Sequence, residues 1–145
     1  MPDLIRLTNK FNKITNQPKH FGTSDLLYPA EIHTIDVIGK KQAETVTELC
    51  KLFGVTKGAV SQIIGKLHRK GYVNKIRNKD FGKEKILSLT HKGYRAFEAH
   101  INFHKIIDKD ILRNSKDISI QEFEQFRKML KKIEAHIDEF IKKYK

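Results

Sequence analysis

The sequence predicts a mainly α-helical fold with one small β-hairpin, and three observations carry that prediction. Apolar residues recur three and four apart through most of the chain, the repeat of helices that bury one stripe. After Gly71 the repeat gives way to two short runs rich in β-branched and aromatic residues around a turn-rich tip. Basic charge is concentrated where these patterns meet. Lys51 to Arg95 holds 12 Lys/Arg and two acids, a net of +10 in 45 residues, while the other 100 residues carry 17 bases and 15 acids.

Composition narrows the class. The chain has 145 residues, 39% of them hydrophobic, and a net charge of +12. That length suits a single domain spanning 1–145 with its own core. One cysteine leaves no disulfide framework, four-cysteine zinc ribbon or dithiol redox motif. No apolar run approaches the ~20 residues of a membrane helix, and the first ten residues lack a signal-peptide core. The expectation is a cytoplasmic protein with no membrane partner. A basic stretch of this density suits a polyanion, through phosphate neutralisation and counterion release.

The elements follow in order. Leu4, Leu7, Phe11 and Ile14 form a stripe on a first helix. Asn16 to Thr23, with Pro18 and Gly22, reads as a loop. A second helix starts near Pro29, carries Ile32, Ile35 and Ile38, and ends at Gly39. Thr45 starts a short third helix, Gly54-Val55 makes a tight turn, and Thr56 caps a fourth helix running to about Lys70. Val60, Ile63, Ile64 and Leu67 face inward on that helix. Tyr72–Arg77 and Glu84–Leu89 read as the strands of a hairpin. Thr90 caps a fifth helix running toward Leu112, and Ser115 to Ser119 breaks it. In the last helix Phe123, Phe126, Leu130, Ile133, Ile137 and Phe140 repeat at three and four, a heptad seam suited to helix association.

Helix, tight turn, helix and basic hairpin make the winged helix-turn-helix plan. A helix enters the major groove with a small polar face while its other face anchors it. Ala59 and Val60 read as anchors, leaving Thr56, Lys57, Gly58, Ser61, Gln62 and Lys66 for DNA. Gln62 has a donor and an acceptor for an adenine edge, whereas Thr56, Lys57, Ser61 and Lys66 suit phosphates. Arg77, Lys79 and Lys83 of the hairpin can reach the flanking backbone or minor groove. Gly58 and Gly65 weaken the helix by up to ~1 kcal/mol each, a cost that close backbone approach explains.

Thr45-Val46-Thr47-Glu48-Leu49 and Gly54-Val55-Thr56-Lys57-Gly58-Ala59-Val60-Ser61-Gln62 closely resemble the helix-turn-helix of MarR-type transcriptional regulators. Leu87-Ser88-Leu89-Thr90-His91-Lys92-Gly93 resembles the close of their wing. The resemblance implies a winged helix-turn-helix core over 26–95, with terminal helices in 1–25 and 96–145 forming an intertwined homodimer. The helix seams, Leu4, Leu7 and Phe11 at one end and Phe123 to Phe140 at the other, match that dimer. It further implies a repressor of double-stranded DNA with a pseudo-palindromic operator, controlled by a metal or a small ligand. The wing departs from the family where Phe81-Gly82-Lys83 replaces the usual Asp-Arg-Arg. Lys83 keeps a charge there but not a guanidinium fork.

Two further groups concern regulation. Cys50, in the third helix, reads as a buried inert thiol. His100 and His104 lie at i,i+4, so both rings share one helix face and can chelate a metal such as zinc. Resemblance to the zinc-responsive members aligns both with metal ligands and His33 with a third; Glu31 is close by in sequence as a candidate oxygen ligand, although at i,i+2 it points partly away, and the fourth ligand is left open. A non-specific architectural or RNA-binding winged helix is the alternative reading. An enzyme is not expected: no nucleophile elbow, P-loop or H-E-x-x-H accompanies the histidines.

Overall fold

A computed structural model of the chain describes residues 2–77, 85–114 and 117–144. Its elements are α1 (Pro2–Thr15), α2 (Pro29–Gly39), α3 (Val46–Phe53), α4 (Lys57–Arg69), β1 (Val73–Arg77), β2 (Lys85–Leu89), α5 (His91–Asn114) and α6 (Ile120–Lys143). The backbone divides into two compact units, Met1–His104 and Lys105–Lys145. Among the described residues no helix is long and apolar enough to cross a membrane.

Local capping chemistry sets the boundaries of the central helices. The Thr45 hydroxyl accepts from the Glu48 N–H, and the Glu48 carboxylate accepts from the N–H groups of Glu44 and Thr45. This reciprocal box starts α3. Gly54 ends it with φ 65°, and nothing among the described residues lies within 4 Å of the position a Cβ would take. The left-handed backbone, not crowding, is what favours glycine there. Thr56 then accepts from the Ala59 N–H at 3.3 Å and opens α4.

The core of the first unit is gathered from α2, α3, α4, the hairpin and the start of α5. Leu27, Ile35, Leu49, Leu67 and Tyr72 are fully buried in it. α4 buries Val60, Ile64 and Leu67, as its spacing predicts. Ala59 does not anchor the helix: it is exposed, one residue off the buried stripe. α2 buries Glu31, Ile32, Thr34, Ile35, Val37 and Ile38, far more than one stripe, because it packs on both α4 and β2. Gly39 closes α2 without a left-handed turn. A Cβ there would stand 2.7 Å from the Phe97 ring, so glycine lets α2 approach α5.

The strands pair antiparallel, with Val73 opposite Leu89, Lys75 opposite Leu87 and Arg77 opposite Lys85. The Leu87 N–H also donates to the Glu44 carbonyl at 2.7 Å, fastening the hairpin to the segment before α3. Tyr72 locks its base. The Tyr72 N–H donates to the Leu67 carbonyl, and its own carbonyl accepts from the Thr90 N–H. Its hydroxyl lies 2.6 Å from the Thr23 hydroxyl and donates to Asp25, which also pairs with Lys92 at 2.6 Å. Burial pushes the Tyr72 phenol up to about 12, so the ring stays protonated.

In the second unit Ser119 and Glu122 form another capping box at the start of α6. α6 buries no side chain, and Phe123, Phe126, Leu130, Ile133, Ile137 and Phe140 all stand exposed. α1 also buries none, leaving Leu4, Leu7 and Phe11 in solvent.

Two glycines of the first unit separate packing from propensity. A Cβ at Gly93 would run into the Tyr72 carbonyl oxygen, whereas at Gly65, among the described residues, it would meet only the end of Arg69 at 3.5 Å. Gly93→Ala is expected to cost ~3 kcal/mol through overpacking, and Gly65→Ala to add up to ~1 kcal/mol through helix propensity. Denaturant unfolding of both variants checks the opposite signs.

Candidate functional site

α4 presents the surface that its sequence pattern predicts. Lys57, Gly58, Ser61, Gln62 and Lys66 are exposed. None of their side chains bonds to another part of the chain among the described residues. The stripe Val60–Ile64–Leu67 holds the helix from behind, so its outward polar groups are presented on a fixed frame. Thr56 is also exposed, and while its oxygen caps α4 its hydroxyl proton is available to an outside acceptor. Outside the helix's own backbone, nothing among the described residues lies closer than 3.5 Å to a Cβ built at Gly58 or Gly65. The described residues therefore place no packing requirement on either glycine.

The hairpin continues this surface. Arg77 is exposed at the end of β1, opposite Lys85. Lys79 and Lys83, expected to contact DNA, lie outside the described residues. Sequence reasoning passed over Lys75 and Lys85. Strand alternation would have found them, because Val73, Lys75 and Arg77 occupy one face of β1. With their partners Leu89, Leu87 and Lys85 they make a face that is apolar at the base and cationic toward the tip.

A second constellation lies where α2 meets α5. His33, His100 and His104 come together: ring centres are 5.6 Å apart for His33–His100 and 4.5 Å for His100–His104. Two imidazoles on one tetrahedral ion have ring centres about 5 Å apart and nitrogens about 3.3 Å apart. His100 Nε2 and His104 Nε2 are 3.0 Å apart. The donors are not drawn onto one point: among the described residues no three His, Cys, Asp or Glu groups are arranged to hold a metal. His33 stands exposed at the edge of the group.

Asp36, unforeseen in the sequence, completes the cluster. One of its oxygens pairs with Lys40 at 2.7 Å, and the other stands 3.4 Å from His100 Nδ1. Both atoms of that second pair are buried and lack a hydrogen-bond partner. A carboxylate facing the far nitrogen of an imidazole orients it and strengthens it as a metal ligand. The signal was available, since Asp36 lies one helical turn beyond His33. Burial, reinforced by the neighbouring His104, holds His100 below the usual histidine range against the opposing pull of Asp36. Its imidazole is therefore neutral at pH 7 and able to ligate.

Glu31 is the correction. Its Oε1 pairs with Lys70 at 2.7 Å and its Oε2 accepts from the Tyr28 N–H at 2.9 Å. Two residues from His33 along a helix, it points elsewhere and ties the start of α2 to the end of α4. Cys50 is half-buried against the apolar core.

These features can be set beside known proteins. Residues 25–81 match the MarR_2 model, described as MarR family. The HTH-type transcriptional regulator BilQ of Clostridium symbiosum is 30% identical over 107 residues, 73% of this chain and 74% of BilQ. An uncharacterised HTH-type transcriptional regulator of Bacillus cereus is 34% identical over 96 residues, 66% of this chain, and the match spans only 60% of that relative's length. Among solved structures, Streptococcus pneumoniae FabT in complex with DNA superposes with TM-score 0.79 at 29% identity, covering 96% of this chain and 97% of FabT. An E. coli MarR variant complexed with operator DNA shares the fold, with TM-score 0.66 at 22% identity over 91% of both chains. The relatives are regulators, not enzymes, and the chain belongs to the MarR family of transcriptional regulators.

Proposed function

We propose that this chain is the subunit of a cytoplasmic homodimeric repressor that reads a pseudo-palindromic double-stranded operator. Its DNA affinity, in this reading, changes when a divalent cation such as zinc occupies the histidine cluster. The observation that carries the DNA reading is the outward face of α4, polar, exposed and without internal partners among the described residues. Gly58 and Gly65 on that helix support it, because close approach to a duplex gives them the role that internal packing does not. The FabT structure, similar over nearly the whole chain, holds DNA. Residues 26–95 would form the reading core, and 1–25 with 96–145 would supply the dimer contacts. A second copy is the natural cover for the exposed apolar side chains of α6, Phe123, Leu130 and Ile137 among them, and of α1, Leu4, Leu7 and Phe11 among them.

Gln62 tests sequence reading. Gln62→Ala is expected to cost ~1–3 kcal/mol on a selected operator and much less on random duplex, since the amide reads a base edge. Band-shift titrations on both duplexes measure this. Uniform, salt-sensitive binding to every sequence would favour the architectural alternative instead.

The seam has its own test. Ile133→Glu places a charge in the α6 stripe of both copies, and an apolar side chain there is worth ~1.5–3 kcal/mol per burial. Sedimentation should give a dimer for the unaltered protein at micromolar concentration and monomer or unfolded chain for the variant.

For the cluster, His33, His100 and His104 would hold the cation and Asp36 would orient His100. When bound, the cation would tie α2 to α5, and the chain would supply imidazole nitrogens as donors, with the Phe21 ring packed edge-on against His100. Elemental analysis should find metal in the purified protein, and His100→Ala/His104→Ala should lose it. Protons compete for the same nitrogens, so affinity should fall on acidification. The burial of His100 places its share of that competition below the usual histidine range. Chelator should shift operator affinity by roughly fivefold or more in the unaltered protein and leave the double variant unchanged.

A further inference from the structure

The loop between α1 and α2 folds against the first two turns of α5 and leaves a cleft of about 800 Å³ within the first unit. His91, Lys92 and Arg95 form its helical wall, and His20, Thr23 and Ser24 face them from the loop. Four basic side chains and two hydroxyls therefore line one space. α5 opens on His91 and Lys92 and has no acid in its first turn, the reverse of what a helix start favours. Helix end and side chains carry the same sign, so each raises the cost of the other. An anion in the cleft relieves both.

Bonds around the cleft hold both walls in place and leave donors free. Lys19 and Leu27 exchange backbone hydrogen bonds across the neck of the loop, at 3.1 and 3.0 Å. Arg95 donates to the Gly22 carbonyl at 2.9 Å, and Gly22 supplies the left-handed backbone of the bend, φ 62°. Lys92 donates to Asp25 at 2.6 Å and to the Lys70 carbonyl at 2.9 Å. Asp25 is engaged by Lys92 and the Tyr72 hydroxyl, and those two contacts hold its carboxyl below the usual carboxylate range. Among the described residues Arg95 has no carboxylate partner, and the side chains of His20, Ser24 and His91 have no polar partner. Each of those four can still donate to a ligand.

We propose that this cleft binds the phosphate group of a small phosphorylated molecule, with Arg95 and His91 on one side and Ser24 and His20 on the other. A phosphate monoester offers three strong acceptor oxygens, which suits a ring of guanidinium, imidazole and hydroxyl donors better than the two of a carboxylate. The volume exceeds what a bare phosphate fills and lies in the range of small-molecule sites, roughly 300–1,000 Å³. The cleft is distinct from the histidine cluster. Arg95 and His100 lie roughly 140° apart around α5, and Phe21, next to Gly22, turns the other way and packs edge-on against His100. It is also distinct from the reading surface, because α5 begins at the base of the hairpin, the end away from Arg77 and Lys85. The inference therefore goes beyond the operator reading and does not rest on it.

Calorimetric titration of the full chain with phenyl phosphate and with inorganic phosphate tests the cleft. The variants are His91→Gln/Arg95→Gln and, because Arg95 also holds the Gly22 carbonyl, Ser24→Ala/His91→Gln, which leaves that bond in place. Lys131→Gln/Lys132→Gln on α6 is the control, and thermal melting checks folding. Phenyl phosphate should bind roughly tenfold more tightly than inorganic phosphate, since its ring covers the stems of Lys92 and Arg95. Each cleft variant should weaken it by roughly tenfold or more, the loss of charged or ligand-facing hydrogen bonds, while the control keeps full affinity. Equal affinity for the two probes would assign the same cleft to free phosphate. Absence of binding by the folded, unaltered protein at millimolar probe, or binding that both cleft variants retain, overturns the proposal. Operator affinity without probe should be the same in the variants; a fall in it with a smaller salt slope would make these side chains DNA contacts and overturn the proposal too.

Discussion

The reading surface depends on a single backbone junction, the approach of α5 to Tyr72. Gly93 sits against the Tyr72 carbonyl too closely for any side chain, and Thr90 bonds both Gly71 and Tyr72. α4 ends immediately before this point, β1 begins immediately after it, and α5 starts from it. Three elements that must keep fixed angles therefore share one anchor. The buried tyrosine hydroxyl extends the anchor to the loop before α2 through Thr23 and Asp25. A small domain has a modest core, and concentrating its polar bonds at one joint fixes orientation where apolar packing alone is permissive.

In the regulatory reading proposed above, that arrangement would give the histidine cluster a route to α4. His33 and Asp36 stand on α2, which packs on α4 and β2, while His100 and His104 stand on α5, which starts from the junction. A change in the spacing of α2 and α5 would act on α2, which packs on α4, and on the junction beside which α4 ends. The orphaned pair of His100 Nδ1 and Asp36 Oδ1 makes the contact unusual, because buried polar atoms are nearly always bonded. A ligand on the other side of the ring would draw that pair into register and lower the cost of its burial.

Much of this was legible in the sequence because the signals are local. The Thr45–Glu48 box, Gly54 and the Val60–Ile64–Leu67 stripe each declare themselves within a few residues. The helix-turn-helix follows from them. The histidine pair on α5 was legible by spacing, and its third member through family resemblance. What escaped depends on which distant element arrives. Glu31 looks like a ligand until Lys70, 39 residues later, claims it. Asp36 looks like a surface acid until α5 brings His100 against it. Gly39 reads as a helix terminator until the Phe97 ring is seen where its side chain would be. Lys75 and Lys85 look like solvated strand charges until register sets both on the face that buries Val73 and Leu87.

The central claim is that α4 of each of two copies enters one major groove of the same duplex. Hydroxyl-radical footprinting of the purified protein on a selected operator measures this directly. The account predicts two symmetric patches of backbone protection with half-sites centred about 10–10.5 base pairs apart or a whole multiple of it, since two-fold protein symmetry is mirrored in DNA. Continuous protection without phase, or one isolated patch with no symmetric mate, would contradict it.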